Sequence, residues 1–104
     1  MSKPIGWIGH IYYSERDYYG NCYWAFAIRR ASDGASAYGR ISGGESNILA
    51  AFRQLADEDG VAYDYATSAV KKREFKNMTA DWPYAGCAPD DIAAFIRNKI
   101  GGQT

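Results

Sequence analysis

Apolar and polar residues alternate with period two over much of the first forty positions, the spacing of strands with one buried face. In the run from Ile5 to Tyr13, Ile5, Trp7, Ile11 and Tyr13 share one parity, and branched and aromatic side chains dominate. Gly6 and Gly9 interrupt that run at positions that suit a bulge or a close backbone approach. Ser14 to Asn21 is polar apart from two tyrosines and ends in Gly20-Asn21, so it reads as a connecting loop. Cys22 to Arg30 is the clearest strand. Cys22, Trp24, Phe26 and Ile28 fall on one face, and Tyr23, Ala25, Ala27 and Arg29 on the other. Ser32-Asp33-Gly34 supplies turn chemistry, and Ala35 to Ser42 returns as a third strand. Links this short predict an antiparallel meander.

The period then changes. Ser42 to Ser46 breaks the strand and supplies cap candidates, with Glu45 suited to the positive end of a helix dipole. Ile48, Leu49, Phe52, Leu55 and Ala56 form one helical stripe, and Gly60 is the natural stop after Asp57-Glu58-Asp59. Val61 to Thr67 alternates again and predicts a fourth strand. Ser68 to Met78 fits either a strand or a short helix. Thr79 to Ala88 reads as a loop whose Trp82-Pro83-Tyr84 either extends an exposed surface or covers the next helix. Pro89 opens that helix, Asp90 and Asp91 suit its first turn, and Ile92, Phe95, Ile96 and Ile100 form its stripe up to Gly101-Gly102. The expected fold is α+β: one compact domain over residues 1–104, an antiparallel sheet of three to four strands in the order β-β-β-α-β-α, with two helices packed on one face.

The 104 residues suit a single domain, and 12 basic against 12 acidic side chains leave no net charge. That balance argues against sequence-independent nucleic-acid binding, which needs a cationic excess. No apolar run approaches the roughly 18 residues of a membrane span, and residues 1–10 lack the apolar core of a secretory signal. Two widely separated cysteines, Cys22 and Cys87, predict free buried thiols in a reducing cytoplasm, with a single structural disulfide as the alternative.

Catalytic chemistry finds little support. His10 is the only histidine and sits in a strand pattern, where a surface or hydrogen-bonded structural role is expected. Neither cysteine has a nucleophile signature, and Cys22 lies on the buried parity. Cys22, Cys87 and His10 lack the close pairing of zinc ligands. Gly43-Gly44 before a helix lacks the remainder of a phosphate-binding loop. A non-enzymatic protein without cofactor or metal is expected.

Aromatic content changes the picture most. Nine of sixteen aromatic residues are tyrosines, more rings than a small core needs. Tyr12, Tyr13, Tyr18 and Tyr19 flank Glu15-Arg16-Asp17, and tyrosine and arginine are enriched among the anchors of protein interfaces. Adjacent strand residues point to opposite faces, so Tyr12 and Tyr13 cannot share one core and one ring of the pair is expected outside. Tyr12, Tyr13, Arg16, Tyr18 and Tyr19 are therefore the candidate anchors. Lys71, Lys72 and Arg73, or the acidic knob from Asp57 to Asp59, are the candidates for electrostatic steering, the alternative being a solvated face.

Two resemblances bear on function. In architecture, residues 5–57 resemble the sheet-and-helix DNA-binding domains of phage integrases and plant transcription factors. That likeness implies a sheet face lined by Tyr23, Arg29, Tyr38 and Arg40; zero net charge and the nearby Glu15, Asp17 and Asp33 count against it. In size, compactness and absence of motifs, the whole chain is similar in type to phage or mobile-element inhibitors, especially anti-CRISPR proteins. That likeness implies a protein partner, a host effector complex, blocked by surface contact. The group shares no motif, so no residue role is carried over.

Overall fold

The computed structural model describes residues 3–16, 18–20 and 22–101. Strand β1 (Ile5–Ser14) leads into β2 (Trp24–Arg30) and β3 (Ser36–Ile41), and helix α1 (Glu45–Asp59) follows. Strand β4 (Ala62–Val70), helix α2 (Lys72–Met78), strand β5 (Tyr84–Gly86) and helix α3 (Pro89–Gly101) complete the chain. Asp17, Asn21 and the Gly102 half of the predicted helix stop lie outside the described residues.

The α+β class stands, but the sheet is not the antiparallel one expected. Among the described residues it has five strands, in the order β4-β1-β2-β3-β5. β1, β2 and β3 form the antiparallel meander, while β4 pairs parallel to β1 and β5 parallel to β3. Among the described residues there are three helices rather than two, and they occupy both faces. The ambiguous segment resolves into both of its alternatives, because β4 continues to Val70 and α2 begins at Lys72.

The parallel pairings explain the layers, since two parallel strands cannot be joined by a hairpin and need a crossover. α1 crosses one face of the sheet from β3 to the far edge. α2 and the Trp82 segment return across the opposite face, and α3 then packs beside α1. The chain thus winds around its own sheet in one sense.

The main core lies between the sheet and the α1/α3 layer. Trp7, Ile11, Phe26, Ile28, Phe52, Leu55, Ile92 and Ile96 are buried there. Phe26 stands edge-on to both Phe52 and Phe95. The parities of β1 and β2 and the stripes of α1 and α3 dictate this set. Gly6 forms a bulge, for β1 advances two residues from Ile5 to Trp7 while β4 advances one. This step takes Ile5 out of the buried row and leaves it 46% exposed.

Gly9 lies directly beneath Phe52 of α1. A Cβ there would stand 2.3 Å from the Phe52 ring, which is fully buried and has nowhere to go. Gly60 ends α1 in the left-handed conformation, φ 69°, and its N–H donates to the carbonyls of Ala56 and Asp57. At the β2–β3 turn, Arg30 donates twice to the Asp33 carboxylate, at 3.1 and 2.6 Å, and the Ala35 N–H donates to it as well.

Two measurements test this frame. Gly9→Ala should destabilise the fold by about 1–3 kcal/mol in chemical unfolding, the usual cost of overpacking. Asp33 should titrate at about 2 instead of the ordinary 3.8, held down first by the Arg30 hydrogen bond and then by the Ala35 N–H. A depressed carboxyl stabilises the fold above its unfolded value, so this turn's contribution should be lost as pH falls through about 2. An NMR titration of the Asp33 carboxyl carbon reads that midpoint directly.

Candidate functional site

The β1–β2 connection is closed at its base and open at its tip. Ser14 is buried, its N–H donates to the Tyr23 carbonyl, and its hydroxyl accepts from the Tyr23 N–H, both at 2.9 Å. Beyond this clasp the loop projects from the end of the sheet. Arg16 folds back to donate to the Gly20 carbonyl at 3.2 Å. Tyr18 and Tyr19 stand at the tip, 93% and 81% exposed, edge to face with ring centres 5.2 Å apart.

The same clasp brings in the basic cluster. The Glu15 N–H donates to the Val70 carbonyl at the end of β4, and Lys71, Lys72 and Arg73 follow directly. Lys71 is the extended residue before α2, and Lys72 and Arg73 form its first turn. All three are exposed, and none pairs with an acid among the described residues. Lys76 and Asn77 join Lys72 and Arg73 around an open depression of about 380 Å³. Lys76 belongs to the same basic cluster in the sequence, and with α2 a helix it lies four residues from Lys72 and shares its face.

Arg16, Tyr18, Tyr19, Lys71, Lys72 and Arg73 therefore form one corner, with Glu15 and Glu74 the exposed acids nearby in the chain. Tyr12 and Tyr13 do not belong to it. They point to opposite faces as the strand requires, yet both are half-buried. Tyr13 packs against Trp24 on the core side, ring centres 5.0 Å apart. Tyr12 stacks on His10 at 4.2 Å and meets Trp82 edge-on on the other side. The expectation of one exposed ring presumed a bare second face, and α2 with Trp82 covers part of that face.

Of the Trp82-Pro83-Tyr84 segment, Pro83 and Tyr84 are exposed, and the half-buried residue is Trp82. It lies over the sheet against Tyr12 and Tyr38, and its carbonyl accepts from Arg40 Nε at 2.8 Å. Phe75 of α2 is buried on the same side, and Ala25, between Tyr12 and Arg40 in the sheet, is fully covered. Tyr23, Arg29, Tyr38 and Arg40 do share this face. Its lower part is open as a shallow depression lined by Ile8, His10, Ala27, Arg29, Ser36 and Tyr38, and a second depression opens between Tyr23, Arg40 and α2.

His10 is held within the sheet, its Nε2 2.7 Å from the Ser68 hydroxyl across the β1–β4 pair. Both cysteines are free, but neither is buried as expected. Cys22 is half-buried because β2 begins only at Trp24, and Cys87 is exposed in the link between β5 and α3. Among the described residues no group of three or more His, Cys, Asp or Glu is placed to hold a metal ion, and no helix is long and apolar enough to cross a membrane.

The acidic knob serves the fold. Asp59 accepts the indole N–H of buried Trp7 at 3.0 Å, and Arg97 of α3 pairs with Asp59 at 2.8 Å and with Glu58 at 3.0 Å. Those acids raise the Arg97 pKa further, the Asp59 hydrogen bond first. The guanidinium, 5.7 Å from the Trp7 ring, offsets the repulsion between these carboxylates and the negative end of α1. Compared with protein-family models, curated proteins and solved structures, the chain matches none.

Asp59→Ala should therefore act on stability. It strands the buried Trp7 N–H and should cost about 1–3 kcal/mol in urea unfolding. Asp59→Asn, which keeps an acceptor for Trp7 while weakening the Arg97 pair, should cost less than half as much.

Proposed function

We propose that this chain is a non-enzymatic, cytoplasmic binding protein that acts by protein–protein contact. By kind it belongs with phage or mobile-element inhibitors that block a host defence complex, the anti-CRISPR type. The observation that carries the reading is the pair of exposed rings, Tyr18 and Tyr19, in a loop that leaves the sheet where Lys71, Lys72 and Arg73 emerge, three cations that pair with no acid among the described residues. Exposed tyrosines present a large amphipathic area with few torsions to freeze, which is what an interface anchor needs. The edge-to-face arrangement reduces the freedom to be lost on docking, and Arg16 reinforces it by tying its own loop. Lys71, Lys72 and Arg73 steer the encounter and favour an acidic rim around the partner's tyrosine pocket.

Inhibition by this route needs no chemistry. The rings fill a pocket, the cations pair with its rim, and the body of the domain excludes whatever normally occupies that surface. Nucleic-acid binding through the sheet is less well supported, because α2 and Trp82 cover part of the face and Arg40 is engaged with the Trp82 carbonyl.

The test uses phage titre on bacteria carrying a CRISPR–Cas defence that targets the phage. Expression of the chain should restore plaque formation, and the effector complex should co-purify with it. Tyr18→Ala combined with Tyr19→Ala should abolish both effects, with an affinity loss of at least about 30-fold if one ring is an energetic anchor. Its stability should change by no more than about 0.5 kcal/mol, as for other exposed positions. If no panel of defended hosts shows restored plating, the inhibitor reading fails. If the double variant plates like the wild type, the tyrosine corner is not the site.

A further inference from the structure

The two edges of the sheet differ sharply. β5 is three residues long and follows Pro83, so it offers little to pair with. β4 runs for nine residues, Ala-Tyr-Asp-Tyr-Ala-Thr-Ser-Ala-Val, without proline, lysine or arginine. Among the described residues, nothing pairs with its outer side. Short strands, prolines and lysines are the usual protection of an edge, and β4 lacks all three.

Its hydrogen-bonding polarity can be read off. The Ala62 N–H donates to the Pro4 carbonyl, and the Val70 carbonyl accepts from the Glu15 N–H, so the even-numbered residues face β1. The Tyr65 N–H, pointing away, is met only by the neighbouring Asp64 carboxylate at 2.9 Å. Tyr63, Tyr65, Thr67 and Ala69 thus turn their N–H and C=O groups outward.

We propose that this edge pairs with β4 of a second copy, antiparallel about a two-fold axis at Ala66, to give a continuous ten-stranded sheet. This register uses all four outward residues, setting Tyr63 opposite Ala69 and Tyr65 opposite Thr67 in each direction, with roughly eight main-chain hydrogen bonds. A shift by two residues either way would lose a pair. The side chains fit the same register. Tyr65 against Thr67 is an aromatic–branched pair of the favourable kind. Ala66 meets its own copy on the axis, where its methyl brings no charge against its counterpart. Asp64, the only charged residue of the strand, faces Ser68 of the other copy and stands four residues away from its own counterpart. On pairing, the Asp64 carboxylate releases the Tyr65 N–H to the ladder and accepts from the Ser68 hydroxyl. In the His10 tautomer that donates from Nε2, that hydroxyl proton is free to do so. The two tyrosine corners then project from opposite ends of the combined sheet.

Sedimentation of the full chain tests this. At about 0.1 mM the wild type should sediment as two chains. Ala66→Lys and Ala66→Glu act on an exposed position and should leave the monomer's circular dichroism unchanged. Each variant alone brings like charges together on the axis and should weaken association at least about fivefold. An equimolar mixture of the two should recover the dimer as a heterodimer. Thr67→Pro, which removes one outward N–H and none from the β1 ladder, should also give monomers. A wild type that stays monomeric at this concentration overturns the proposal and leaves the edge to a strand of another protein. A dimer indifferent to these substitutions, or charged variants that fail to recover on mixing, overturns it equally.

Discussion

The parallel pairing of β1 with β4 governs the rest of the molecule. β1 already has an antiparallel partner in β2, so its second side can be filled only from beyond the meander. A parallel partner at that edge obliges the chain to cross the sheet, and α1 makes this crossing with Phe52 seated where Gly9 has no side chain. Having finished at one edge, the chain reaches the other only by crossing back. The core side is taken, so α2 and Trp82 return over the second face. Coverage of both faces, the half-burial of Tyr12 and the position of the basic cluster all follow from that one pairing.

The candidate surface follows as well. Lys71 to Arg73 lie beside the tyrosine loop because β4 ends level with β1, so the residues that begin α2 emerge next to those that leave β1. Over fifty residues separate the two segments in the chain. A zero net charge conceals this arrangement: among the described residues Lys71, Lys72 and Arg73 pair with no acid, while the acids at the end of α1 are matched by Arg97 and the Trp7 indole.

Local pattern carried a large part of this structure. The parities of Cys22 to Arg30 and the stripe from Ile48 to Ala56 identify the core side of β2 and α1, and Gly6 and Gly9 proved to be the bulge and the close approach. Pairing is non-local, and there the pattern was silent. Nothing in Val61 to Thr67 distinguishes an antiparallel neighbour of β3 from a parallel neighbour of β1, because alternation is the same in both. Tyr84-Ala85-Gly86 is too short to show any period. Exposure of Tyr18 and Tyr19 was legible from the polar loop around them. That of Tyr12 was not, since it depends on a helix drawn through an ambiguous segment. Cys87 was misjudged because two cysteines alone say nothing about burial.

The His10–Ser68 bond spans 58 residues of chain, and every pair in the β1–β4 ladder closes a comparable loop. Contacts of this range form late and slowly, because loop entropy is lost before the ladder gives anything in return. During synthesis β1 leaves the ribosome well before β4 exists, with one side bonded to β2 and the other bare. The domain is therefore expected to mature after β4 is made, in a single concerted closure, and a chain stalled before Ala62 should persist as an incomplete and sticky meander.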